Sequence, residues 1–179
     1  MSNKAEHITF EKIVREYHPM VFRTALGFVH NKEDAEDLTQ EAFLRAYRAW
    51  GHFRGDAEVS TWLYRITINL SLNYINIKNR KGWLQLGEEA VRKLLNLESD
   101  GCNPQEELEQ QESERRVAAA IDSLPDKQRT AFVLLRYEEL PQKEVAQIMG
   151  VSEGAVEQLL IRAKTNLQKK LTPPIGNRK

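Results

Sequence analysis

Pro141-Gln-Lys-Glu-Val-Ala-Gln-Ile-Met-Gly150-Val-Ser152-Glu-Gly-Ala-Val156-Glu-Gln-Leu-Leu-Ile-Arg-Ala163-Lys-Thr-Asn-Leu167 carries the strongest local pattern in the chain. It reads as two helices joined by a tight turn. Pro141 suits the first helical position, where a backbone N–H is not needed. Val145, Ile148 and Met149 give that helix an apolar side. Gly150 falls where a left-handed residue ends a helix, and Ser152 is placed to accept a bond from a free N–H of the next one. In the second helix Val156, Leu160, Ala163, Leu167 and Leu171 recur at helical spacing. Glu153, Glu157, Gln158, Ile161, Lys164 and Thr165 take its other side. A short helix, a glycine turn and a longer helix with a polar outer face make a helix-turn-helix, whose second helix can enter a major groove. An ordinary helical hairpin in a bundle has the same periodicity; the turn and capping residues favour the helix-turn-helix.

Working outward, the pattern stays helical. Val117, Ala120, Ile121 and Leu124 carry the apolar face of a helix starting near Glu112. Pro125-Asp126 marks a break and a new start, and Thr130, Phe132, Val133, Leu135 and Leu140 lie in the helix that follows. Residues 112–172 thus read as one small helical domain, and 173–179 as a basic tail. Before it, 82–111 is acidic and broken by Ser99-Asp-Gly-Cys-Asn-Pro104, which reads as a flexible linker with transient helix. Residues 8–81 read as a second helical domain. Its first helix runs from Ile8 to about Val29, with Phe10, Ile13, Val14, Tyr17, Val21, Phe22 and Leu26 on one side and Pro19 as a possible kink. Asn31 is placed to cap a second helix reaching about Trp50. Ala35, Leu38, Ala42, Ala46 and Ala49 form its apolar stripe, opposite Asp34, Asp37, Glu41, Arg45 and Arg48. Spacing alone makes that polar stripe a solvated face with acid-then-base pairs.

A loop, Gly51-His-Phe-Arg-Gly-Asp-Ala-Glu58, leads to a third helix, capped by Ser60 or Thr61 and running to about Arg80. Val59, Trp62, Leu63, Ile66, Leu70, Tyr74 and Ile77 face a core, and Arg65, Asn69, Asn73, Asn76 and Arg80 line the other side. Asparagine is a poor helix former, so a solvated face would carry Glu and Lys instead. Amides can read base edges, and Arg65, Lys78, Arg80 and Lys81 can meet phosphates. This face points to nucleic acid.

The totals narrow the function classes. Lys+Arg 26 balance Asp+Glu 26, so any nucleic-acid contact rests on local patches and not on net charge. Hydrophobic content of 41% and charged content of 29% fit a soluble, largely helical chain, and no long alternating Val/Ile/Thr run argues for a sheet. The single Cys102 excludes an internal disulfide and a cysteine-rich zinc site. The N-terminus lacks a secretory apolar region and no run approaches a membrane span, so a cytoplasmic protein without membrane insertion is expected. His7, His18, His30 and His52 lack metal-ligand spacing, and there is no Walker glycine loop or paired acid and nucleophile. No enzyme activity, metal or cofactor is expected.

Asp34-Ala-Glu-Asp-Leu-Thr-Gln-Glu-Ala-Phe43, Phe53-Arg-Gly-Asp56 and Ser60-Thr-Trp-Leu-Tyr-Arg-Ile66 with Asn69 resemble region 2 of bacterial sigma factors. Leu124-Pro125 and Leu140-Pro-Gln-Lys-Glu-Val-Ala-Gln-Ile-Met-Gly-Val-Ser152, with Arg162-Ala-Lys164 and Leu167, resemble region 4. The order and spacing match the extracytoplasmic-function (group IV) branch of the sigma-70 family. The resemblance implies a two-domain, all-α protein that binds core RNA polymerase and promoter DNA and helps melt it, with an anti-sigma factor as a further partner. It implies that Asp34, Asp37, Leu38, Gln40, Glu41 and Phe43 serve polymerase docking. Phe53, Arg54, Gly55, Asp56, Thr61, Trp62, Arg65, Asn69, Asn73 and Arg80 would handle the minus-ten element. Lys143, Ser152, Glu153, Glu157, Gln158, Ile161, Arg162 and Lys164 would read the minus-thirty-five element. Two stretches depart from the family: the third helix has fewer arginines after Asn69, and Glu157-Gln158-Leu159 replaces a more basic run. A dimeric helix-turn-helix regulator acting without polymerase is the competing reading; it predicts palindromic sites and gives no reason for the asparagine stripe.

Overall fold

The structure, a computed structural model, describes residues 10–93 and 116–171, with side chains for 10–79 and 116–171. These residues form seven helices and, among the described residues, no strand. They are α1 (Phe10–Val29), α2 (Lys32–Trp50), α3 (Val59–Lys93), α4 (116–122), α5 (Asp126–Arg136), α6 (Gln142–Met149) and α7 (Glu153–Leu171). The acidic stretch 94–115, with Cys102, and the tail lie outside the described residues, as do the side chains of Arg80 and Lys81.

The first domain is a bundle of α1, α2 and α3, each packed on the other two. Asn31 caps α2, accepting from Asp34 N at 3.0 Å. Ala35, Ala42 and Ala46 are fully buried, and their small size brings α2 against Ile13 and Val21 of α1 and Leu63 and Leu70 of α3. The acidic first turn of α2 also reaches α3. Lys78 Nζ donates to Asp34 Oδ2 at 3.0 Å. Burial opposes ionisation of Asp34, but hydrogen bonds from Tyr74 and Lys78 and the Lys78 charge outweigh it and hold the carboxyl below its usual range.

The second domain packs α5 on α6, and α7 on both. Pro125 stands at the N-cap of α5. Ala120, Ile121 and Leu124 meet Ala163 and Leu167 of α7. Arg129, 3% exposed, reaches back from α5 to the end of α4. Its guanidinium donates to the carbonyls of Ile121 at 3.2 Å, of Asp122, and of Leu124 at 3.3 Å. Carbonyls at and just beyond a helix C-terminus lack the next turn's N–H groups; of these three, Ile121 also accepts from Leu124 N at 3.0 Å. Burial lowers the Arg129 pKa, partly countered by Asp122 and Asp126.

Four details differ from the sequence expectations. First, α3 does not stop near Arg80 but runs to Lys93, through Gly82. One glycine costs a helix only about 1 kcal/mol, and the Trp83-Leu-Gln-Leu86 run that follows contains no proline. Second, Ser60 and Thr61 lie inside α3, whose first turn is closed by Trp62 N donating to Glu58 O. Third, Pro141 is the N-cap of α6, with ψ 149° outside the helical range. Fourth, Ile77 is 55% exposed and Leu63, Leu70 and Tyr74 carry that face. Pro19 lies within α1, which is continuous across it.

Two stability outcomes follow. Arg129→Ala strands the carbonyls at the end of α4 and lowers stability by about 1–3 kcal/mol in urea melts. Asp34→Asn costs less than about 1 kcal/mol at pH 7, because the ion pair is partly solvated. Since the folded-state pKa is depressed, that difference from wild type is present above about pH 4 and closes as pH falls below it. Melts of the two proteins across pH 2.5–7 read this directly.

Candidate nucleic-acid interface

The helix-turn-helix is built as its residues dictate. Gly150 sits at φ 66°, ψ 38°, the left-handed region that spares glycine the usual Cβ penalty. Its N–H returns to the carbonyls of Ala146 and Gln147. Ala155 N donates to Ser152 Oγ at 3.2 Å and opens α7. Val145, Ile148 and Val156 are buried at the elbow. The outer side of α7 carries Glu153, Glu157, Gln158, Ile161, Arg162 and Lys164, all exposed, with Lys143 exposed on α6. Ser152 joins them at the turn, where its side chain is already used as the cap. Every residue expected at the minus-thirty-five surface is therefore on one open face or its border. Ile161, 49% exposed, is the apolar member, suited to a thymine methyl.

In the first domain, the loop between α2 and α3 is pinned by aromatic rings. Trp50 and Phe53 stack at 5.4 Å, Phe53 and Trp62 lie 4.9 Å apart, and Trp50 and Trp62 lie 6.0 Å apart. This cluster fixes the base of the loop and leaves Arg54, Gly55 and Asp56 exposed at its tip. Gly55 has φ 74°, a conformation that side-chain-bearing residues rarely adopt. Arg54 Nε lies 3.3 Å from Asp56 Oδ2 across it. Thr61 and Trp62 are half-buried beside the loop, and Arg65, Asn69 and Asn73 are exposed along α3. A ring cluster, a charged loop tip and an amide stripe thus adjoin one another, a combination that can stack bases and bond their edges. Arg80 carries no described side chain.

The expected docking residues of α2 divide. Asp37 and Gln40 are exposed and Glu41 is half-buried, paired with Arg45 Nε at 2.7 Å. Asp34 is engaged by Lys78. Leu38 and Phe43 are each 7% exposed and belong to the bundle core, so they hold the helix and do not present a surface. Leu44 at 50% and Tyr47 at 65% exposure supply the apolar part of the outer face. They edge a groove of about 420 Å³ lined by Phe10, Val14, His18 and Phe43. The sequence pattern counts Tyr47 with Phe43 and Trp50 as a widening of the apolar stripe, whereas the structure leaves it exposed; Leu44, between the stripes, escaped the sequence reading.

The tertiary structure also brings the two domains together, which the sequence reading missed. α3 carries a second buried stripe, Tyr64, Ile68 and Ile75, which joins Phe28 of α1 in one cluster with Val133, Leu134, Val145 and Ile148. Arg65 Nε and Nη2 donate to the carbonyls of Ile148 at 3.1 Å and Gln147 at 2.7 Å, at the C-terminus of α6. A cation there suits the negative end of the helix dipole. Asn69 lines the cleft between the domains with Arg65, Asp126, Lys127 and Gly150. Glu138, whose side chain is fully buried, accepts from Arg23 at 3.1 Å and from the Tyr64 hydroxyl at 3.0 Å. Burial, then the Glu138 charge, pushes the Tyr64 phenol well above its ordinary range. His30 Nε2 lies 3.6 Å from Asp122 Oδ1. The spacing of Tyr64, Ile68 and Ile75, and a glycine inside α1, are the sequence signals for this packing.

The comparisons with known proteins agree with this geometry. The profile of sigma-70 region 2 matches residues 13–81, and that of sigma-70 region 4 matches residues 114–167. The RNA polymerase sigma-H factor of Pseudomonas aeruginosa is 34% identical over 174 residues, covering 92% of this chain and 86% of that protein. The ECF RNA polymerase sigma factor SigW of Bacillus subtilis is 32% identical over 171 residues, covering 94% and 91%. Among solved structures, the sigma factor RpoE of Bartonella quintana, crystallised with the anti-sigma factor NepR, superposes with a TM-score of 0.57. That likeness spans 90% of this chain and 96% of RpoE at 22% identity, and it concerns the fold alone. With both regions matched in order and relatives aligned over nearly their full length, the chain belongs to the sigma-70 family of RNA polymerase sigma factors, in its extracytoplasmic-function branch.

Proposed function

We propose that this sigma factor divides its work among three surfaces on two domains, residues 8–81 and 112–172, with 82–111 between them. As a sigma factor it binds core RNA polymerase and directs it to promoters. Its family is one of transcription initiation factors and not of enzymes. The outer face of α2, with Asp37, Gln40 and Glu41 flanked by Leu44 and Tyr47, docks on the polymerase. The ring-pinned loop with Arg54 and Asp56, and the stripe of Arg65, Asn69 and Asn73, capture the minus-ten element. The exposed face of α7 reads the minus-thirty-five element.

The observation that carries this division is the stripe on α3. Three exposed asparagines, Asn69, Asn73 and Asn76, follow one arginine along a helix that buries Leu63, Tyr64, Ile68, Leu70 and Ile75. Such residues add nothing to helix stability, and they adjoin a loop with rings for stacking. Unstacking a base costs a few kcal/mol and is offset by contacts to the extruded base. No nucleotide hydrolysis is required. The family work takes place where polymerase and promoter meet, so the cytoplasm is the proposed location. No helix among the described residues is long and apolar enough to cross a membrane. An anti-sigma factor is the proposed further partner, as one is bound to the RpoE relative in its crystal.

On α7, Glu157 cannot bind phosphate or the guanine acceptors. It can accept from a cytosine amino group, and Gln158 can pair with adenine. Reconstitution with core polymerase on a library randomised at the minus-thirty-five element tests this. Glu157→Ala and Gln158→Ala are expected to relax preference at different positions, each by about 1–3 kcal/mol; identical preferences for both variants and wild type would sink the assignment. For the docking face, Asp37→Arg combined with Gln40→Ala is expected to weaken core binding about tenfold or more, measured by competition with a labelled wild-type chain, with an unchanged melting curve. Unaltered core affinity rejects the α2 surface. Holoenzyme carrying Asn69→Ala is expected to retain closed-complex binding and lose promoter opening, read by permanganate reactivity of unpaired thymines.

A further inference from the structure

We infer that Asp34 is a positioning residue for promoter opening: its carboxylate holds Tyr74 and Lys78 of α3, and through them sets where Asn73 and Asn76 stand at the far end of the asparagine strip. This rests on the assignment of that strip to the minus-ten element. It departs from the role that the family resemblance implies for Asp34, a contact to the polymerase.

The carboxylate springs from a fixed turn. Asp34 is the third residue of α2, and its backbone N–H is held by the Asn31 cap at 3.0 Å. The helix dipole alone favours an acid in a first turn, and that suffices for Glu33, whose side chain is exposed. Asp34 does more. Its side chain is only 23% exposed, and Lys78 Nζ donates to its Oδ2 at 3.0 Å. The Tyr74 hydroxyl donates to the same carboxylate. The Lys78 ammonium also lies 5.5 Å from the centroid of the Tyr74 ring, within reach of a cation–π attraction. The bond to Asp34, ahead of burial, raises the Tyr74 phenol above its ordinary range, and it raises the Lys78 ammonium against burial.

The place of this triad on α3 is what ties it to the amides. Ile75 is the last of the described α3 side chains to be buried; Asn76, Ile77, Lys78 and Asn79 are all exposed. Apolar packing has therefore let go of the helix there. Among the described residues, Lys78 to Asp34 is the one hydrogen bond or ion pair from residues 76–79 to another helix. Tyr74 and Lys78 are four residues apart, so they share a face. Asn73 adjoins the first, and Asn76 lies in the turn between them. Lys78 is about 200° round the helix from Asn76, so the triad grips the back of the turn whose front carries the amides. Amides bonding base edges tolerate only about half an ångström of misplacement, and the triad supplies the fixed point. It also joins the helix that carries Asp37, Gln40 and Glu41 to the helix that carries the strip.

The test uses holoenzyme on the best promoter recovered from the library. The variants are Asp34→Asn, Lys78→Met, the two combined, the conservative Asp34→Glu, and Asn73→Ala with Asn76→Ala. Permanganate reactivity reads promoter opening, competition with a labelled wild-type chain reads core affinity, and urea melts read stability. Asp34→Asn and Lys78→Met are each expected to lower opening about threefold to fivefold, the scale of one partly solvated ion pair. The combined variant is expected to be no worse than either alone, and Asp34→Glu to keep most of the opening. Core affinity is expected to be unchanged by Asp34→Asn. Added to the two asparagine substitutions, Asp34→Asn is expected to leave opening where they put it while still shifting the urea midpoint; a merely structural role would lower opening again. Weaker core binding by Asp34→Asn makes the residue a polymerase contact and overturns the inference. A gain in opening, with Lys78 released to a phosphate, overturns it too, as do losses that add in the combined variant. If the two asparagine substitutions impair opening and Asp34→Asn does not, the inference fails alone. If they leave opening intact, the strip assignment has failed and the inference with it.

Discussion

α3 is buried on two sides at once, and the rest of the molecule is arranged around that constraint. Leu63 and Leu70 lock it to α1 and α2, while Tyr64, Ile68 and Ile75 lock it to the second domain. Burying each such side chain contributes about 1.5–3 kcal/mol. Between those two packed faces lies a polar strip, from Arg65 through Asn69 and Asn73 to Asn76. The asparagine strip runs beside the contact with the second domain, where Arg65 and Asn69 line the cleft between the two.

The neutral charge of the chain takes on meaning in the same way. A nucleic-acid-binding protein ordinarily announces itself by net positive charge. Here the cations are committed locally. Arg65 lies on a helix C-terminus, Lys78 on Asp34, Arg23 on Glu138, and Arg129 within the core of its own domain.

The interface joining the domains differs in character from the cores inside them. Within the first domain, alanines and large aliphatic residues interlock without charge. Between the domains an apolar patch is rimmed by a buried carboxylate, a tyrosine hydroxyl and an arginine on backbone carbonyls. Those polar groups fix the geometry of the contact in a way that the apolar patch alone does not. Glu138 retains one oxygen with no protein partner, as does His30 Nε2 facing Asp122. Such incompletely satisfied groups reduce the net gain of closing.

Most features fixed within a few residues along the chain were legible in the sequence, the start of α3 and the place of Pro141 excepted. The left-handed Gly150, the Ser152 and Asn31 caps, the break at Pro125 and the helix-turn-helix with its outward Glu157 and Gln158 were all legible. The reason is that each depends on backbone geometry and hydrogen bonds over three or four residues. The separation of polar from apolar sides was equally plain for α2 and α7, each of which has one buried side. It was incomplete for α3, where apolar residues on two sides blurred the period and hid Tyr64, Ile68 and Ile75. Only the tertiary structure decided which of the docking residues are surface and which, like Leu38 and Phe43, are core. Only it paired Asp34 with Lys78, 44 residues away, and Arg65 with carbonyls 82 and 83 residues away. Contacts of that separation depend on how whole helices pack, and no local pattern encodes them. Gly27 is the clearest case: an unremarkable glycine in the sequence, and in the fold the point where one domain makes room for the other.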